Sequence, residues 1–130
     1  MGNFTVKKIE EMEGIYGGAF KRARAELGVG AFGMAIIDLP PNFEKYPTHD
    51  HAEDGQEEVF IALKGGGEIE IDGDRYPLDS DHVAMVGPGV DRKVLPGDDG
   101  IRVLVLGGKA GEAYEPQART ELGQPDPMLG

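Results

Sequence analysis

The sequence has no cysteine, which excludes disulfides, thiolate nucleophiles and cysteine-based zinc or iron–sulfur centres and points to a cytoplasmic protein. Basic charge is scarce. Thirteen lysines and arginines face 24 aspartates and glutamates, for a formal net charge of −11. No run of Lys or Arg is long enough to offer a basic stripe to phosphates, so nucleic acid is not an expected partner, and the same acidity repels an anionic membrane surface. Long hydrophobic runs are missing as well: no stretch approaches the ~20 apolar residues needed to span a bilayer. Lys7, Lys8 and Glu10 follow closely on Phe4, so the start of the chain lacks the apolar core of a secretory signal. A soluble chain with neither membrane nor nucleic acid as partner is expected. No internal repeat is present.

What is abundant is punctuation. In 130 residues there are 21 glycines and 9 prolines, scattered as turn residues and not gathered in a low-complexity tract. The length suits one domain with one core, residues 1–130. Within it, residues 1–32 read as an N-terminal extension, with Val6 and Ile9 as anchors of a short edge strand and a short helix over 19–27 that stops at Gly28. Lys21, Arg22 and Arg24 on that helix form the only basic cluster and read as a solvated face.

From residue 33 the signals are those of strands. Residues 33–39 are apolar and end at Pro40-Pro41, which cannot continue a ladder. A β-rich run over 58–64 is closed by Gly65-Gly66-Gly67, and 68–72 alternates strictly, with Ile69 and Ile71 on one face. Asp72-Gly73 is a two-residue hairpin turn into 75–78. Residues 83–86, 92–95 and 101–106 give three further strands, separated by Gly87-Pro88-Gly89 and by Pro96-Gly97-Asp98-Asp99-Gly100. Short strands at this spacing predict an all-β antiparallel sandwich or barrel. The polar segment 107–130 is expected to wrap the surface or to be partly disordered.

Two of the three histidines, His49 and His51, stand two residues apart, so on an extended segment both rings leave on one face. If the turn at Asp54-Gly55 folds the chain back, Glu58 comes alongside and completes a two-histidine, one-carboxylate set able to hold a divalent ion. Phe60 and Ala62 share parity with Glu58 and are expected to form an apolar wall around a small-molecule pocket, with Tyr46 at its mouth. His82 falls off this pattern in a polar turn, and the acidic loop of Glu53, Asp54 and Glu57 reads as solvated.

Over roughly residues 33–106 the chain resembles the cupin family, a small β-barrel jelly roll. The family's first motif is glycine, five residues, His-x-His, three or four residues, Glu, six residues, Gly. It is matched at His49, His51, Glu58 and Gly65, with Phe43 at the leading glycine and six residues between His51 and Glu58. The resemblance implies that His49, His51 and Glu58 are metal ligands, for Fe, Mn, Zn or Ni. It also implies a homodimer, for which Val6 and Ile9 are candidate edge-strand residues.

The second motif is only echoed. Asp81, Gly87, Arg92 and Pro96 stand for its glycine, proline, histidine and asparagine, and Gly89 alone is kept. Arginine stays protonated and cannot ligate a cation. A guanidinium roughly 6 Å from a divalent ion would repel it by about 5 kcal/mol at an effective dielectric of about 20. Metal binding therefore requires Arg92 to be turned away or neutralised by Glu57, Asp91 or a bound anion. Alternatively Arg92 pairs with Glu58 and the histidines line a metal-free pocket, or Arg92 grips an anionic ligand. Two functions follow: a metal-dependent enzyme acting on a small anionic organic molecule, or a non-catalytic small-molecule-binding or scaffold domain.

Overall fold

The computed structural model describes residues 3–51 and 54–127, so Glu53 of the acidic loop lies outside the described residues. Seven strands form one antiparallel sheet: β1 (Gly14–Ile15), β2 (Phe20–Lys21), β3 (Gly33–Leu39), β4 (Glu57–Ile71), β5 (Asp74–Leu78), β6 (Val83–Val86) and β7 (Arg92–Gly108). The order is β1-β2-β3-β7-β4-β5, with β6 also paired to β4. One short helix, α1 (Ala23–Leu27), and 3-10 turns at Ile9–Glu11 and Ala118–Thr120 complete the described elements. No helix among the described residues is long and apolar enough to cross a membrane. The architecture is an all-β antiparallel barrel, one of the two arrangements the strand spacing predicts and the one the resemblance implies.

Two long strands organise the barrel, and both differ from the sequence reading. Gly65-Gly66-Gly67 does not close a strand; β4 runs straight through it. The reason lies in side-chain parity. Glu58, Phe60 and Ala62 face inward at the start of β4, Ile69 and Ile71 at its end, so the strand must slip by one residue between them. The slip falls where the register against β7 is irregular, between Ala62 and Gly67. Gly65 there adopts φ 68°, and a side chain at Gly67 would run into the Leu95 carbonyl. On the partner, Pro96 to Gly100 is likewise not a separating loop but the irregular middle of β7, which joins the inward Arg92 and Val94 to the inward Ile101, Val103 and Val105. Asp72 and Gly73, with φ 49° and 89°, make the expected tight turn into β5.

Inward residues of β4, β5, β6 and β7 meet in one core of Phe60, Ile69, Leu78, Val86, Val94 and Val103. Full burial of each such side chain contributes about 1.5–3 kcal/mol. A smaller cluster of Met12, Ala23 and Ile36, joined by Ile9 and Leu27, seats the N-terminal segment against β3.

That segment corrects two expectations. Val6 is exposed and outside any strand, and Ile9 sits in a 3-10 turn; the edge strand of this segment is β1, with β2 between it and β3. The helix is shorter than 19–27 because Phe20 and Lys21 pair with Ile37 and Ile36 of β3, but it ends as expected at Gly28, whose φ is 77°. The basic cluster is not a solvated face. Arg22 and Arg24 are 2% and 7% exposed and hold the C-terminal segment: Arg22 Nε donates to Arg119 O at 2.9 Å and Arg24 Nη2 to Glu121 at 2.7 Å. Arg22 also pairs with Glu13, which accepts the Gly123 N–H at 2.8 Å. Residues 109–127 thus wrap the surface along defined contacts.

Candidate metal centre

The centre is assembled from three places in the chain. At His49 the backbone forms a single antiparallel bridge to the first residue of β7: His49 N–H donates to Arg92 O at 3.1 Å and Arg92 N–H to His49 O at 2.9 Å. Directly paired residues project to the same face, so His49 and Arg92 both enter the barrel. The extended step to His51 keeps the second ring on that side. The chain then turns, Gly55 N–H donating to His51 O at 2.8 Å with Gly55 at φ 67°, and enters β4 with Glu58 inward. With this turn Glu58 returns to the histidines despite the long spacing from His51.

The structure brings His49, His51 and Glu58 together: one ligand atom from each lies within 4.8 Å of the others. Glu58 Oε2 is 3.2 Å from His51 Nε2, and Glu58 Oε1 is 3.6 Å from His49 Nε2. The two rings meet edge to face at 5.4 Å. His51 Nε2 is buried and makes no hydrogen bond. Its other nitrogen, Nδ1, is 2.9 Å from Asp54, so each ring nitrogen faces a carboxylate oxygen. A second ring proton or a metal ion at Nε2 would each satisfy that arrangement. The donor set of two imidazoles and one carboxylate fits a divalent transition metal.

Arg92 occupies the position of the missing fourth ligand in a particular way. It is wholly buried, and Nη1 donates to Glu58 Oε1 at 2.8 Å while Nη2 donates to Gly87 O and Nε to Val90 O. The guanidinium is thus paired with Glu58, not with Glu57 or Asp91, which is the pairing the sequence reading attached to a metal-free pocket; it engages one carboxylate oxygen while the other faces His51.

Electrostatics follow from this packing. Burial disfavours the Glu58 carboxylate, but the adjoining imidazoles of His49 and His51 and the Arg92 guanidinium outweigh it and hold the carboxyl well below the usual range. Glu58 raises the basicity of His51 against the effect of burial, and Asp54 adds to the rise. Tyr46 lies edge-on to His49 at 6.2 Å; burial first, and then the Glu58 charge, keep its hydroxyl protonated well above the ordinary phenol range.

Phe60 is 1% exposed and packed in the core beneath the centre, and Tyr46 packs against the same core. His82 stays outside, half exposed, with Nδ1 2.8 Å from Asp79. Asp54, read from the sequence as solvated, is instead the partner of His51, joined by Gln56 and Gln117. The turn at Asp54-Gly55 was the available signal for Asp54. For Gln117 no sequence signal existed, since it arrives 63 residues later along the chain.

No sequence-family model and no curated protein matches the chain. Solved structures do. A cupin protein from Bacteroides fragilis superposes with a TM-score of 0.68 over 92% of this chain and 95% of that one, at 23% identity. A protein from Photorhabdus luminescens superposes with a TM-score of 0.63, covering 85% of this chain and 90% of that one at 15% identity. A predicted oxalate decarboxylase from Thermotoga maritima gives 0.51, covering 58% of this chain and 64% of that one at 22% identity. Likeness at these identities is likeness of fold: the chain has the fold of these small cupin barrels.

Proposed function

We propose that the chain is a single-domain cytoplasmic cupin that holds one divalent ion on His49, His51 and Glu58 and acts on a small anionic organic molecule. The observation that carries the reading is the convergence of His49, His51 and Glu58, one ligand atom from each lying within 4.8 Å of the others. Bound there, an ion would supply Lewis-acid chemistry or an orienting contact for substrate. The chain's own groups do the rest. Glu58 bridges the ligand set to Arg92, so the guanidinium does not confront an ion alone. Phe60 and the core below exclude water. Tyr46, neutral, packs edge-on against His49.

An anion is favoured because the charges of Arg92 and a divalent ion exceed those of Glu58 and Asp54, leaving the pocket net positive within an otherwise acidic protein. The Thermotoga maritima neighbour, described as a predicted oxalate decarboxylase, agrees with a small carboxylate as ligand class. Metal analysis of protein purified without chelator tests the reading: about one ion per chain supports it, and none in a folded sample that also fails to take up added metal contradicts it. Turnover of small carboxylates by the loaded protein separates the enzyme from a domain that only binds them.

We also infer a homodimer, formed through β6 and not through Val6 and Ile9. Among the described residues β6 pairs only with β4, and its outward Val83 and Met85 are 72% and 62% exposed beside Ile61 and Val59. Such an edge gains by being covered. Light scattering reads the mass, and Met85→Lys is expected to return it to 13.9 kDa.

A further inference from the structure

The two histidines of the centre are held differently. Among the described residues His49 Nδ1 meets the Pro47 carbonyl at 3.5 Å, while His51 Nδ1 lies 2.9 Å from both oxygens of Asp54. A neutral imidazole carries one N–H, and a carboxylate can only accept, so the contact with Asp54 fixes which nitrogen bears the hydrogen. In the neutral ring Nε2 is then the nitrogen without hydrogen, 3.2 Å from Glu58 Oε2.

Asp54 is itself held from two directions. The Gln56 N–H donates to Oδ1 at 3.1 Å, and the Gln56 and Gln117 amides approach Oδ2 at 3.4 and 3.3 Å. Gln117 is in turn fixed within the C-terminal segment: Thr120 Oγ1 donates to its carbonyl at 2.6 Å, Arg119 Nε to its Oε1 at 3.1 Å, and the buried Arg22 grips Arg119 O at 2.9 Å. A continuous chain of hydrogen bonds therefore runs from the N-terminal hairpin through the tail to the ring of His51.

Resting on the metal reading above, we propose that Asp54 is the positioning residue of the centre: held by Gln56 and by Gln117 of the C-terminal segment, it takes the Nδ1 hydrogen of His51 and presents Nε2 as the ligand. Carboxylates placed behind metal-binding histidines set ring orientation and tautomer, and their loss costs about 10- to 100-fold in metal affinity. Among the described residues no carboxylate stands behind His49 Nδ1, so the effect is expected at one ring.

The test uses the full chain and Zn2+ as the probe, with 15N spectra of the histidines beside calorimetry. In metal-free wild type at about pH 9, where an imidazole is neutral, His51 is expected as a single Nδ1–H tautomer. In Asp54→Ala it becomes a mixture or reverses, with His49 unchanged. Zn2+ affinity is expected to fall about 10- to 100-fold in Asp54→Ala. Asp54→Asn, whose amide oxygen still accepts from Nδ1, should retain the tautomer and most of the affinity, and Gln117→Ala should show a smaller loss than Asp54→Ala. An unchanged His51 tautomer in Asp54→Ala overturns the proposal, as does a tautomer in Asp54→Asn no better fixed than in Asp54→Ala. If wild type binds no Zn2+, the metal reading fails, while the tautomer comparison still decides the role of Asp54.

Discussion

Arg92 Nη1 lies 2.8 Å from Glu58 Oε1, joining the start of β4 to the residue paired with its far end. Glu58 opens β4 next to Val86 of β6, while Arg92 opens β7 next to Ile71 at the far end of β4. The pair therefore ties the two halves of the bent strand together. It also explains how a cation can stand where a ligand is expected: one oxygen of Glu58 answers the guanidinium and the other remains with His51.

Because Arg92 is wholly buried, removing it strands the Glu58 charge in a poorly solvated site. Arg92→Ala is expected to cost roughly 3–5 kcal/mol in urea unfolding of the metal-free protein. Glu58→Gln in the same background should recover part of that loss. A change near zero for Arg92→Ala would mean that the charge finds water, and that the pair does not brace the barrel.

Phe60 forms the floor beneath the centre and belongs to the core. Phe60→Ala opens a cavity among Val86, Val94, Val103 and Val105 and is expected to cost about 3–5 kcal/mol. Denaturant midpoints measure it, and the metal stoichiometry of the surviving folded fraction should be unchanged.

The parity slip on β4 makes a separate prediction about glycine. A methyl group at Gly67 collides with the Leu95 carbonyl and comes within 2.9 Å of Pro96, both backbone, whereas at Gly108 it meets nothing within 4 Å. Gly67→Ala should destabilise by more than about 2 kcal/mol, and Gly108→Ala should fall within the roughly ±0.5 kcal/mol of ordinary surface changes. Equal effects at the two sites would count against the close approach of β4 and β7.

Acid should release the C-terminal segment. The Gly123 N–H and then the Arg22 guanidinium hold the Glu13 carboxyl below its ordinary range. A group with a depressed native pKa contributes stability that is present above its unfolded value and is lost as pH falls through the native one. Attachment is therefore expected to persist at neutral pH and to weaken progressively below about pH 4.3, the ordinary value for glutamate. The Gly123 amide proton shift follows this directly. In Glu13→Gln the shift should no longer move with pH in that window.

Much of the fold was legible because the barrel writes itself in turn residues and parity. Asp72-Gly73, Pro40-Pro41 and the alternation at Ile69 and Ile71 act locally, and each lies where local chemistry puts it. His49, His51 and Glu58 were legible from spacing, since a two-residue step and one turn suffice to bring them together. What escaped was non-local. Gly65-Gly66-Gly67 looks like a stop unless the parity change between Ala62 and Ile69 is counted. The burial of Arg22 and Arg24 depends on a tail 97 residues away, and the approach of Gln117 to Asp54 depends on the same tail. The partner of Arg92 was one of several open alternatives, decided by the meeting of two strand ends that no local pattern encodes.

The central claim is that His49, His51 and Glu58 form one metal centre, and the most direct measurement is Zn2+ titration calorimetry across a set of single variants. Wild type and His82→Ala are expected to bind about one ion per chain with equal affinity. His49→Ala, His51→Ala and Glu58→Gln should each abolish binding or weaken it by at least about 10-fold while remaining folded. Equal Zn2+ binding in all of these proteins, or loss of binding in His82→Ala alone, would contradict the account.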